Sequence, residues 1–305
     1  MAHCSTLPWL LLIQFHIIIV QIKAAAKHPS VIVFGDSTVD TGNNNHLLTI
    51  VKSNFPPYGR DFIGGKPTGL FSNGRIASDF ISESCGSKPT LPAYLDPSFS
   101  IKDFATGVCF ASASSGYDNV TTDVLDVLPL WKQLEYYKDY QMKLRKYMGD
   151  KNANKRMREA LYVISMATND FLENYYNPLS SRRKTEFTVE QCQDFLTGLA
   201  KESIKELYSL GARSISLGEL PPMGCLPLVR AVNSITGSGI CNEEYNKVAD
   251  FNRKLQALVV SLGKELPGSV LMIADSYNIS LILFQKPQKY GKLYFINSLT
   301  QFDVK

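Results

Sequence analysis

Val31-Ile32-Val33-Phe34-Gly35-Asp36-Ser37 is the stretch from which the fold follows. Three β-branched residues and a Phe form an apolar run of buried-strand length, and Gly-Asp-Ser is turn chemistry that ends it. A serine just past a strand end, on a strand-to-helix turn, sits where an α/β sheet presents a nucleophile. Ser37 is therefore the candidate nucleophile, and a serine hydroxyl needs a base to take its proton. The histidines are His3, His16, His28 and His46, and none follows His46.

Working outward, similar short runs recur at 107–111, 161–165, 214–217 and 269–273. Amphipathic segments lie between them. One carries Leu130, Leu134, Tyr137 and Leu144. A second carries Leu196, Leu199, Ala200, Ile204 and Leu207, and ends at Gly211. A third carries Val248, Phe251, Leu255, Leu258 and Leu262, and ends at Pro267-Gly268. Their spacing puts the apolar side chains on one helical face. Strand–helix alternation predicts a parallel sheet covered on both faces, in one domain. Ligands of such sheets bind outside the carboxyl ends of the strands. Ser37, Ser112-Ala113-Ser114-Ser115-Gly116 and Thr168-Asn169-Asp170 each follow a predicted strand there.

Composition sets the outer bounds. The chain has 305 residues, 45% of them hydrophobic and 20% charged, with a formal charge of +4. Its basic residues are scattered, and the cluster Ser181-Arg182-Arg183-Lys184 reads as a solvated face, so no nucleic-acid partner is expected. Trp9 to Val20 is an apolar stretch followed by Ala24-Ala25-Ala26, the pattern of a secretory leader cleaved near Ala26. The run is too short to make a comfortable membrane anchor. Residues 1–26 are thus read as signal peptide, 27–291 as the domain and 292–305 as a divergent tail. An extracellular monomer is expected. Of the 6 cysteines, Cys4 lies in the leader. The others are Cys85, Cys109, Cys192, Cys225 and Cys241, an odd number for an oxidising compartment. Cys225 and Cys241 bracket a Gly/Ser-containing loop and form the expected disulfide. No Cys/His spacing suits a metal. Asn119-Val120-Thr121 and Asn278-Ile279-Ser280 are acceptor triplets for N-glycosylation.

The run Phe34-Gly35-Asp36-Ser37-Thr38-Val39-Asp40-Thr41-Gly42-Asn43-Asn44 resembles the first block of the plant-type GDSL esterase/lipases of the SGNH hydrolase superfamily. The likeness continues through Pro57-Tyr58-Gly59, Phe71-Ser72-Asn73-Gly74-Arg75, Phe110-Ala111-Ser112 and Thr168-Asn169-Asp170-Phe171, and through Leu220-Pro221-Pro222-Met223-Gly224-Cys225-Leu226-Pro227. It spans roughly Ser30 to Gly291. It implies a three-layer α/β/α fold on a five-stranded parallel sheet of flavodoxin-like type. It also implies cleavage of small-molecule or lipid acyl esters through an acyl-Ser37 intermediate, without a cofactor. The oxyanion donors it implies are the Ser37 N–H, a backbone N–H at Ser114 or Gly116, and the Asn169 amide.

Two departures lie near that site. Ser114 and Ala167 stand where the family has glycine. A third concerns the base. The family's triad ends in an Asp-x-x-His block, which these residues lack. The likeness runs through Asp275-Ser276-Tyr277-Asn278 to Gly291, and Lys292 to Lys305 diverges, so no triad His or Asp is found. The tail reads as a truncated or alternative end. An apolar face of the sheet is then expected to be exposed, and Cys192 or Cys85 to lack a partner. Three readings stay open at this level. They are a secreted serine esterase/lipase, an impaired isoform or pseudoenzyme that at most binds esters, and an extracellular carbohydrate-binding or structural protein. Serine-directed labelling separates the first from the others.

Overall fold

The structure is a computed structural model that describes residues 28–123, 125–177, 182–236, 241–286 and 289. The expected leader, Gly291 and the tail lie outside these residues. Five parallel strands form one sheet in the order β2-β1-β3-β4-β5. They are β1 (Val31–Gly35), β2 (Gly107–Cys109), β3 (Leu161–Ser165), β4 (Ser214–Gly218) and β5 (Val270–Ala274). Along β1, β2 pairs with Val31–Val33, whereas β3 follows β1 through Gly35↔Ser165. The chain steps from β1 to one neighbour and then returns to the other. The switch point therefore lies at the carboxyl ends of β1 and β3, where an open α/β sheet has its crevice.

One face carries the main core. The helices α2 (Leu130–Met148), α4 (Val189–Ser209) and α5 (Ala249–Glu265) lay their apolar stripes on it, after α1 (Ala77–Ser84) and before α6 (Ser276–Gln285); α3 (Asp150–Glu159) leads into β3. Ile32, Phe34, Tyr162, Ile164, Ile215 and Leu217 from the sheet meet Leu134, Tyr137, Ile204 and Leu255 there. Phe34 stacks on Phe110 at 5.3 Å, and Tyr137 meets Tyr162 edge-on with their hydroxyls 2.7 Å apart. The buried phenols thus satisfy each other inside the aromatic cluster.

The other face is covered unevenly. Val31, Val33, Cys109, Ala111, Leu161 and Val163 form a smaller cluster closed by Val39, Leu91 and Ile81 of α1. Beyond β3 this cover stops among the described residues. Ser214, Ser216 and Gly218 of β4 are half-buried, and Val270 and Met272 of β5 are 57% and 36% exposed. Among the described residues, the expectation of a sheet covered on both faces therefore holds over β2-β1-β3 and not over β4-β5.

Candidate active site

The turn after β1 is built by Gly35 and Asp36. Gly35 has φ +150°, and a Cβ there would lie 2.2 Å from the Ser165 carbonyl oxygen, so only glycine fits between the strands. The Asp36 N–H then donates to that carbonyl at 3.0 Å. Asp36 Oδ1 accepts from the Thr38 N–H at 2.9 Å and the Thr38 hydroxyl at 2.7 Å, an Asx-type turn that fixes the chain around Ser37. Burial pushes the Asp36 carboxyl up to about 6 against the pull of those Thr38 bonds. Ser37 itself is half-buried. Among the described residues nothing hydrogen-bonds its Oγ or its N–H. No helix follows it. The chain makes one turn, closed by Asp40 N–H to Asp36 C=O at 2.9 Å, and then a 3₁₀ turn at Asn43–His46. The predicted strand-to-helix step is thus a strand-to-turn step, and a helix dipole at Ser37 is absent.

The residues after Ser37 brace the loop that follows β2. Asp40 Oδ1 accepts the N–H groups of Gly42 and Asn43, both at 2.8 Å, and its Oδ2 accepts that of Ala113 at 3.1 Å. Asn43 Nδ2 donates to Cys109 and Ala111 carbonyls at 3.0 and 2.8 Å, while its Oδ1 accepts from the Leu95 N–H. Asn44 Oδ1 accepts from the Ser112 hydroxyl and the Ala113 N–H. All three side chains are fully buried, so each bond replaces one that water would otherwise make. Burial pushes Asp40 up to about 6.

That loop carries the second part of the site. Ser114 adopts φ +64°, the left-handed region where glycine is at ease, and Ala167 adopts φ +95°. These are the two positions at which the sequence departs from glycine. The Ser114 hydroxyl donates to Glu173 Oε1 at 3.1 Å. Glu173 lies on the π-helix Asp170–Tyr175, and burial first, then the nearby Asp36 charge, raises its carboxyl to about 7. Gly116 is needed for space rather than for φ, since a Cβ there would lie 2.1 Å from Asp170 Oδ1. Asp170, buried and pushed up to about 7, accepts from Tyr117 N–H at 2.8 Å, Asp118 N–H at 3.1 Å and the Thr121 hydroxyl at 2.6 Å. Asn169 Nδ2 donates to the Ser115 carbonyl at 2.9 Å, which leaves its second amide proton available. Among the described residues the N–H groups of Ser37, Ser114 and Gly116 also have no acceptor. Ser37, the Ser114–Gly116 loop and Asn169 thus follow β1, β2 and β3 at the carboxyl edge of the sheet, with Asn169 bonded to the loop at Ser115. Backbone N–H groups and a neutral amide so placed can stabilise a developing oxyanion without reorganising.

Residues 31–297 match the family model of the GDSL-like lipase/acylhydrolases. The chain belongs to that family. It is 57% identical over 268 residues to GDSL esterase/lipase At2g04570 of Arabidopsis thaliana, covering 88% of this chain and 76% of the relative. GDSL esterase/lipases At2g42990 and At4g26790 of the same plant are 54% and 53% identical, at the same coverage. Membership makes the chain a hydrolase of the ester-bond class.

Within this GDSL protein neither described histidine hydrogen-bonds Ser37. His28 Nδ1 pairs with the Glu159 carbonyl at 2.8 Å, at the amino end of the sheet. The five residues of β1 put it roughly 16 Å or more from Ser37. His46 ends the 3₁₀ turn with its ring exposed. Asp275 caps α6 by accepting the Asn278 N–H at 2.9 Å. Cys225 and Cys241 are joined, with Cα atoms 4.3 Å apart, and Cys85, Cys109 and Cys192 are free thiols. Asn119 and Asn278 are exposed. Among the described residues no group of His, Cys, Asp or Glu converges as a metal site requires, and no helix is long and apolar enough to cross a membrane.

Sequence reasoning passed over Gln133, Glu173 and the bracing role of Asp40, Asn43 and Asn44. Gln133 alone left a local signal. It is a polar residue on the apolar stripe of Leu130, Leu134 and Tyr137.

Proposed function

We propose that this chain is a secreted hydrolase of acyl or lipid esters with Ser37 as nucleophile and the donors around it as oxyanion hole, and that the described residues by themselves turn over slowly because no imidazole is bonded to Ser37. The observation that carries this reading is the Ser37 hydroxyl with no hydrogen-bond partner among the described residues, together with the unpaired N–H groups of Ser37, Ser114 and Gly116 and the second amide proton of Asn169, whose first goes to the Ser115 carbonyl. In the reaction, Ser37 Oγ attacks the ester carbonyl and its proton passes to a base. The carbonyl oxygen becomes the oxyanion, and collapse expels the alcohol to leave an acyl-Ser37 ester that water then cleaves. In these residues the base is water or hydroxide. Oxyanion stabilisation and binding alone sustain roughly 10³ to 10⁴-fold catalysis over water when a triad member is missing. The apolar run at Trp9 to Val20 with Ala24-Ala25-Ala26 supports secretion, and exposed Asn119 and Asn278 support glycan attachment. A second reading, an ester-binding protein without turnover, is favoured by the same missing base.

The test is p-nitrophenyl butyrate hydrolysis with and without added imidazole, against Ser37→Ala. Once hydrolysis by imidazole alone is subtracted, slow hydrolysis that rises about tenfold or more with imidazole, and only when Ser37 is present, is expected for a site lacking its general base. Equal rates in both proteins under both conditions leave the binding reading in its place.

A further inference from the structure

Gly35, two residues before Ser37, has a peptide that the sheet leaves half unserved. The β2 ladder ends at Cys109, and past it the chain still donates the Ser112 N–H to the Gly35 carbonyl at 3.0 Å, so on that side it is the Gly35 N–H that has no backbone partner, while β3 continues to Ser165 on the other. Gln133 fills the gap. It stands on α2, is fully buried, and aims its amide at this peptide. Gln133 Oε1 accepts the Gly35 N–H at 3.0 Å, and Gln133 Nε2 donates to the Gly35 carbonyl at 3.0 Å. The two bonds close a ring like that of a hydrogen-bonded residue pair in an antiparallel ladder, with a side chain in place of a strand. The same Nε2 also approaches Ser115 Oγ at 3.2 Å and the Leu128 carbonyl at 3.3 Å. Ser115 lies between Ser114 and Gly116, and its own carbonyl receives the Asn169 amide. One amide therefore touches the turn that carries Ser37 and the loop that carries the other oxyanion donors.

We propose that Gln133 is a positioning residue for ester hydrolysis, its amide fixing the Ser37 turn against the Ser114–Gly116 loop. The proposal rests on Ser37 being the nucleophile. It predicts a loss in the chemical step, since displacement by about 1 Å between reacting groups can cost about 100-fold. A merely structural glutamine would cost stability and leave the rate of the folded protein alone.

The experiment compares wild type, Ser37→Ala, Gln133→Met and Gln133→Glu. Gln133→Met keeps length and apolar bulk but makes none of the four bonds. Its Ser37-dependent kcat for p-nitrophenyl butyrate is expected to fall about 10 to 100-fold with KM within about twofold, under conditions where circular dichroism shows it folded. Hydrogen exchange is expected to rise together in peptides covering Gly35 and Ser115. Gln133→Glu is the rescue. When protonated, its carboxyl offers one acceptor and one donor and can close the ring with Gly35. When ionised it has only acceptors facing the Gly35 and Leu128 carbonyls. Its kcat is expected to recover toward the wild-type value as pH falls and to drop as pH rises. Asp36 titrates beside the same turn, so the wild-type profile is the control. Wild-type kcat in a folded Gln133→Met, or a Gln133→Glu profile parallel to wild type, overturns the proposal alone. No difference between wild type and Ser37→Ala overturns the nucleophile reading, and the proposal with it.

Discussion

Gly116→Ala tests whether the oxyanion loop is held by contact with Asp170. Gly116 does not have a positive φ, so alanine is allowed by the backbone and the cost must come from the added methyl. That Cβ would lie 2.1, 2.6 and 2.8 Å from the three carboxyl atoms of Asp170. The carboxyl must retreat by about 1 Å, which breaks hydrogen bonds of ordinary length. It holds three, from Tyr117, Asp118 and Thr121. Losing two at about 1 to 2 kcal/mol each, less the gain of about 0.4 to 1 kcal/mol from a stiffer unfolded chain, gives a net loss of about 2 kcal/mol. The assay is urea unfolding followed by circular dichroism, in wild-type and Asp170→Ala backgrounds. With the carboxyl removed the methyl has room, and the same substitution should cost less than about 0.5 kcal/mol. An equal cost in both backgrounds, or almost none in the first, refutes the contact as the cause.

Three further outcomes follow from the same geometry. Asp36 and Asp40, raised to about 6, and Asp170 and Glu173, raised to about 7, bind more protons folded than unfolded above about pH 4. Their stabilising contribution is complete below the unfolded values and is lost as pH rises through the folded ones. The urea midpoint should therefore be higher at about pH 5 than at about pH 8, and a midpoint rising over that interval contradicts it. Carboxylates held low, such as Asp103 and Asp139, titrate below this window. Replacing Cys225 and Cys241 by Ser opens a link of separation 16 and should cost about 3 kcal/mol, read as the same midpoint under oxidising conditions. Ala167→Val adds a branched side chain at φ +95° in a fully buried site and should cost at least about 2 kcal/mol, whereas Ala167→Gly should stay within about 1 kcal/mol of wild type.

Apolar runs and helical stripes carried most of the architecture, because strand and helix periodicities are local. The strand order came from resemblance, and the sheet has that order. Ser37, the 112–116 loop and Asn169 were legible as polar turns closing apolar runs. Three features were not. Whether a helix follows Ser37 depends on Asp36 and Asp40 taking up backbone N–H groups, a competition that periodicity does not express. The bracing by Asp40, Asn43 and Asn44 spans 66 to 73 residues, and that by Gln133 spans 98. Uneven cover was hidden because Val270 to Ile273 is apolar throughout, although Leu271 and Ile273 pack on the core while Val270 and Met272 do not.

The Asp40, Asn43 and Asn44 brace bears on how far a motif can be trusted as a sign of enzymatic work. These side chains spend their hydrogen bonds on the backbone of the neighbouring loop, and Asp36 spends its own on the turn. Thr38 is exposed but bonds its hydroxyl to Asp36 and Ser165, whereas the Ser37 hydroxyl has no partner among the described residues. Most letters of the signature therefore serve the scaffold, and a requirement to fold is enough to account for them. The block by itself reports the scaffold around Ser37 and not its general base, which lies outside the block.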